Sequence, residues 1–229
     1  MLVREAYILA GPTASGKSDI AAVLAREMGA WILSADSMLV YRGMDIGTAK
    51  PSAAEREEFH MGGVDVVTPA EEFSSGAWLR AASAWAAAVP MDVPIVIVGG
   101  TGLYFSALLR GLDRRWEKPP PEYPVIRIDR AVVRARIAAR LDAMFMAGLD
   151  AEKRRLKEMY PVWSRTASLA IGYREGDDRA KILTRTCQLA KRQDTWFRHQ
   201  ATPIYVDPSA EAVRACWQSR GPWKVSFPT

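Results

Sequence analysis

Eight consecutive residues, Gly11-Pro12-Thr13-Ala14-Ser15-Gly16-Lys17-Ser18, restrict this chain more than any other feature. They complete the pattern G-x-x-x-x-G-K-[ST], follow the apolar run 6–10 and open a helix-like stretch over 18–28. A strand, a glycine loop and a helix in that order wrap backbone N–H groups and a helix N-terminus around phosphate oxygens. The lysine reaches the terminal phosphates, and the following hydroxyl is placed to ligate Mg²⁺. Gly11, Thr13, Ala14, Ser15, Gly16, Lys17 and Ser18 therefore form the candidate diphosphate cradle, with Ser18 as the candidate metal ligand.

The rest of the chain supplies a frame for that loop. Residues 30–34 and the β-branched run 95–98 read as buried strands, and an alanine-rich helical stretch, 78–89, precedes the second. Strands alternating with helices predict a P-loop NTPase-like α/β fold, a parallel sheet flanked by helices. Beyond Pro124 the texture turns helical and basic over 130–146 and 178–199, after a proline-rich break at 118–124. One P-loop α/β domain over 1–229, with a mostly helical C-terminal half, is the expected organisation.

A phosphate loop usually suggests phosphoryl transfer, but that chemistry commonly places an Asp at the end of a second apolar strand to hold Mg²⁺. Here the run 95–98 leads instead into Gly99-Gly100-Thr101-Gly102-Leu103-Tyr104, a second glycine turn suited to close approach of backbone and ligand. The nearest strand-end carboxylate is Asp36. The loop can thus hold a diphosphate that departs, and a nucleotide kinase remains the remote alternative.

Composition narrows the setting. No apolar run approaches the ~18 residues of a membrane span. The N-terminus shows no charged start followed by an apolar middle, and Cys187 and Cys216 have no metal-ligand spacing. A cytoplasmic monomer without membrane attachment is expected. The net charge of +5 permits a polyanionic partner without requiring one.

Five blocks carry a family resemblance: the phosphate loop, residues 36–51 (DSMLVYRGMDIGTAKP), 99–104 (GGTGLY), 171–175 (IGYRE) and 190–198 (AKRQDTWFR). In this order they resemble the tRNA dimethylallyltransferase family, whose fold is a P-loop α/β core with an inserted helical domain. The resemblance implies transfer of a dimethylallyl group from dimethylallyl diphosphate to the exocyclic N6 of adenine. It casts Asp36 as the base for the N6 proton and Thr101 as the hydroxyl between diphosphate and amine. It further implies an acceptor site of Asp36, Ser37, Met38, Leu39, Thr101, Arg192 and Gln193, with Mg²⁺ as cofactor. Arg42, Lys50 and Arg174 lie in matching blocks without an assignable role.

Three departures bear on the acceptor. Leu39 stands where the family usually has Gln, removing a group that donates and accepts. Met61-Gly62-Gly63-Val64-Asp65 keeps only the last residue of the family's His-His-Leu-Ile-Asp, and His60 reads as a surface side chain. The family's helical insertion is missing, its place taken by a short connection over 113–124. Two acceptors stay open. Six Lys/Arg against two Asp over 178–200, and five Arg against one Asp over 127–140, favour tRNA at the adenine beside the anticodon. A free adenine nucleotide, as in the adenylate isopentenyltransferases, would explain the lost insertion and Leu39 together.

Overall fold

The computed structural model describes residues 2–112 and 119–228. The first part of the expected connection, residues 113–118, lies outside them. Six strands form one sheet: β1 (Leu2–Ala10), β2 (Trp31–Ala35), β3 (Ile95–Gly99), β4 (Glu122–Ile126), β5 (Thr202–Val206) and β6 (Trp223–Phe227). The path β2-β3-β1-β4-β5 is parallel throughout, while β6 runs antiparallel against β1. Ala6 pairs with Ile95 on one edge and Trp223 on the other, so β6 lies on the β4 side of β1.

Strand alternation sorts the core into two faces. Ile8, Leu33, Ile95, Ile97 and Val125 face one apolar layer with α3 (Ser75–Ala88), α4 (Gly102–Arg110) and α7 (Arg179–Gln200). Leu9, Ile32, Val96, Val98 and Ile126 face the other, built on α1 (Lys17–Met28) and α8 (Ala210–Arg220). Two buried indoles tie helices to strands, Trp78 donating to the Ser34 carbonyl at 3.0 Å and Trp217 to that of Ile8 at 2.9 Å.

The expected strands and helices are present, β1 beginning four residues earlier than the apolar run suggests. Three strands go beyond the sequence reading. The proline-rich break ends in β4, and Pro124 sits inside it. Thr202 N donates to Pro121 O and Arg127 N to Val206 O, which turns the N–H groups of odd-numbered β4 residues toward β5. Pro124, with no N–H to give, faces β1, where β4 pairs only through Val125. Strand β5 is half exposed, and β6 only five residues long.

The C-terminal half is otherwise helical. It comprises α5 (Arg130–Met146), α6 (Leu149–Met159), α7 and α8; the short α2 (Ala53–Glu58) lies earlier. Asp129 caps α5 by accepting from Ala131 N, and Asp178 caps α7 by accepting from Lys181 N. Among the described residues no helix is long and apolar enough to cross a membrane.

Candidate active site

Three loops meet at the carboxyl edge of the sheet, where open α/β sheets hold ligands. Gly11 N donates to Gly99 O at 3.3 Å, and Thr101 N to Ala35 O at 3.0 Å, so the loops after β1, β2 and β3 are joined by backbone. This closeness needs glycine: a Cβ on Gly99 would sit 2.1 Å from Ala35 O.

The loop after β1 is built for an anion. Ala14 at φ 61° and Gly16 at φ 87° take left-handed conformations, which turn neighbouring N–H groups inward. The buried Ser15 hydroxyl has no hydrogen-bond partner among the described residues. The Lys17 ammonium, also buried, donates to the Pro12 carbonyl at 3.2 Å. Burial pushes the Lys17 ammonium down to about 8, against the pull of the Asp36 carboxylate. Ser18 is exposed and opens, with Lys17, onto a cavity of about 430 Å³. Magnesium suits this donor set: it binds through one hydroxyl or carboxylate and substrate phosphates. Among the described residues no group of three or more His, Cys, Asp or Glu could hold a metal alone.

Asp36 and Thr101 come together as the sequence suggests. Thr101 Oγ1 accepts from Ser37 N at 2.9 Å and donates to Ser37 Oγ at 3.2 Å. Asp36 Oδ1 accepts from Met38 N at 2.9 Å, which turns the carboxylate back over the strand end. Asp36, Ser37, Met38, Thr101, Arg192 and Gln193 line a second cavity of about 460 Å³, walled by apolar side chains of α5 and α7. Leu39 lines the phosphate-side cavity instead, with Ile32, Phe59 and Met61. The two cavities share Asp36, Thr13, Thr48 and Arg140. A carboxylate thus stands where a phosphate site and a largely apolar chamber meet.

Several contributors were not legible as site residues. Arg136 donates to Ser15 O at 3.2 Å, and Arg140 to Thr13 Oγ1 at 3.5 Å, both reaching from α5 over the phosphate loop. Their i, i+4 spacing on one helix face was the available signal. Burial lowers the Arg140 guanidinium from its ordinary value. Glu152 is buried and accepts from the N–H groups of Asp45, Ile46 and Gly47 and from the Tyr173 hydroxyl, at 2.6 to 3.1 Å. Gln193, which the resemblance already puts in the acceptor site, also reaches both glycine loops, accepting from Thr13 N at 2.8 Å and donating to Gly100 O at 3.0 Å.

The three unassigned cations now have partners. Lys50 donates to Tyr41 O, Asp45 and Asp65 within 2.7 Å, pinning its own loop. Arg42 holds the carbonyls of Asp65 and Val66. Arg174 pairs with Glu175 at 2.8 Å on the chamber wall. His60 is exposed and stacks on Trp31, the rings 4.2 Å apart.

Comparison with known proteins finds a family and relatives for the chain. The family described as IPP transferase matches residues 39–129 and 115–200, and the isopentenyl transferase description matches 4–60. A tRNA dimethylallyltransferase of Acidithiobacillus ferrooxidans is 30% identical over 288 aligned residues, covering 90% of this chain and 91% of that protein. One from Stenotrophomonas maltophilia is 31% identical, covering 91% and 94%. These alignments are longer than the chain's 229 residues, so the relatives carry residues without a counterpart here. In fold, the chain resembles a tRNA isopentenylpyrophosphate transferase of Staphylococcus epidermidis, with TM-score 0.81, 23% identity and coverage of 94% and 99%.

Proposed function

We propose, from the premise that this chain belongs to the IPP transferase family and is a prenyltransferase, that it moves a dimethylallyl group onto the N6 amine of an adenine in tRNA. The observation that carries this reading is the shared wall of the two cavities, where Asp36 and Arg140 separate the phosphate cradle from the apolar chamber.

The adenine amine is a weak nucleophile because its lone pair is delocalised into the ring. Asp36 accepts its proton as N6 bonds to the allylic carbon, while the carbon–oxygen bond to the diphosphate breaks and its electron pair leaves with that group. Lys17, Arg140 and the loop amides stabilise the growing negative charge, and Thr101 orients the amine. Mg²⁺, which Ser18 would help to hold, would neutralise further charge on the departing diphosphate.

The RNA assignment has support of its own. A groove of about 1060 Å³ runs between α5 and α7 at the ends of β4 and β5, lined by Arg127, Arg130, Arg134, Lys191 and Arg198 against Asp129, Asp194 and Asp207. Tyr205 is exposed there, with the Arg127 guanidinium 5.4 Å from its ring centre. Phosphates and a stacked base suit such a surface. We place the relatives' extra residues at the connection 113–124, because the two matched segments of the family overlap over 115–129.

Labelled dimethylallyl diphosphate supplied with unmodified tRNA, AMP, ADP and ATP should label the tRNA beside its anticodon; label in a mononucleotide alone would assign the chain to the adenylate isopentenyltransferase reaction. Replacing Arg127, Arg134 and Lys191 by Gln should reduce the slope of log affinity against log salt by about 2 to 3. An unchanged slope would remove this groove from the RNA surface.

Donor capture should also depend on pH. The cradle needs Lys17 protonated, and in the free protein that form is lost as pH rises through about 8. The kcat/KM for donor should therefore fall above that pH. The kcat should fall less, since bound phosphates hold the proton in place. A kcat/KM flat to pH 10 would contradict the cradle assignment.

A further inference from the structure

Among the described residues Gln193 is the one α7 side chain hydrogen-bonded to both glycine loops. Its Oε1 accepts from Thr13 N, an amide of the phosphate loop, and its Nε2 donates to Gly100 O, the carbonyl next to Thr101. The residues it joins are 93 and 180 positions away, so no local turn reproduces the contact. The neighbouring backbone is shaped around it: a Cβ on Gly100 would lie 2.4 Å from Nε2. A methyl group at 100 would therefore push the Gln193 amide, the end of a flexible side chain, out of the place it occupies. Trp196, one turn along α7, presses on Gly102 in the same way, its ring 2.0 Å from the position of a Cβ there. The helix is thus seated on the Thr101 turn at two points, and among the described residues only Gln193 carries the seat across to the phosphate loop.

We propose that Gln193 is a positioning residue for prenyl transfer, a clamp that sets the distance between the phosphate cradle and the Thr101–Asp36 pair. The proposal rests on the prenyl-transfer reading. In-line displacement requires the leaving diphosphate and the attacking amine to be held about 3 Å from a common carbon, so a small change in loop spacing slows the chemistry more than it weakens either substrate. A side-chain amide suits the task because it accepts from one loop and donates to the other. A carboxylate could take the Thr13 contact but has no proton for Gly100 O.

Steady-state and single-turnover kinetics of Gln193→Ala, Gln193→Glu, Gly100→Ala and the Gln193→Ala/Gly100→Ala double variant test this. In Gln193→Ala, kcat should fall about 10- to 100-fold with donor KM within threefold, while the melting temperature moves by about 5 °C at most. Gly100→Ala should match that loss by displacing the amide, and the double variant should be no worse than either single one. Gln193→Glu should not recover kcat and should raise donor KM, because it sets a negative charge beside the diphosphate. A near-normal kcat in Gln193→Ala, or losses that multiply in the double variant, would overturn the proposal. Exchange of the Thr13 amide hydrogen, followed by NMR, needs no turnover. It should quicken in Gln193→Ala, and unchanged exchange overturns the clamp whatever group the chain transfers.

Discussion

Replacing Asp36 by Asn should lower kcat for prenyl transfer by about 10² to 10⁴-fold, the range expected when a positioned general base is removed. The substitution keeps the volume of the side chain and an oxygen that can accept from Met38 N, so the strand-end turn survives. Donor affinity should therefore hold near pH 7. The side effect should be electrostatic. Asp36 raises the Lys17 pKa, and without that carboxylate burial acts on the ammonium unopposed by its main partner. The decline of donor kcat/KM with pH should accordingly begin lower in Asp36→Asn than in the parent. The test is a pH series of kcat and kcat/KM for both proteins. An unchanged kcat would remove Asp36 as the base, and a loss confined to donor KM would make it a phosphate-site residue instead.

The second large effect should come from a residue that touches no substrate. Glu152→Ala would leave three backbone N–H groups and the Tyr173 hydroxyl without their acceptor. Partial relaxation and water entry would recover some of that loss, which leaves a cost of about 3 to 5 kcal/mol. In a chain of this size the melting temperature should fall by about 10 °C. Activity should fall with it, since the loop held by Glu152 supplies Gly47 and Thr48 to the chamber wall. Glu152→Gln should restore only part. Each carboxylate oxygen accepts from two donors; an amide nitrogen in place of Oε1 could donate to the Tyr173 hydroxyl, but the Gly47 N–H would still lose its acceptor. A melting curve for Glu152→Gln that overlays the parent would refute this account. The tight approach at Gly47, where a Cβ would lie 2.5 Å from the Tyr173 ring, shows how little room the loop has to rearrange.

What could be read without coordinates was local. The phosphate loop announces itself because strand, glycine turn and helix are consecutive, and its chemistry needs only backbone N–H groups and one lysine. Helix α5 spans 130–146, the stretch that reads as a long basic helix. Asp36 and Thr101 were legible as strand-end positions, which parallel topology brings to one edge, while their roles came from the family resemblance. Strand β4 was hidden by Pro124, which only the splay between β1 and β4 makes tolerable.

The chain's order of residues decided by itself that a phosphate-binding α/β sheet would form, with Asp36 and Thr101 at its carboxyl edge, because period and turn chemistry act over a few neighbours. Folding alone decided that Arg136, Arg140, Glu152 and Gln193 would close over that edge. Their contacts span 93 to 180 positions, and across such distances pairing depends on how helices pack on the sheet, which no short pattern encodes.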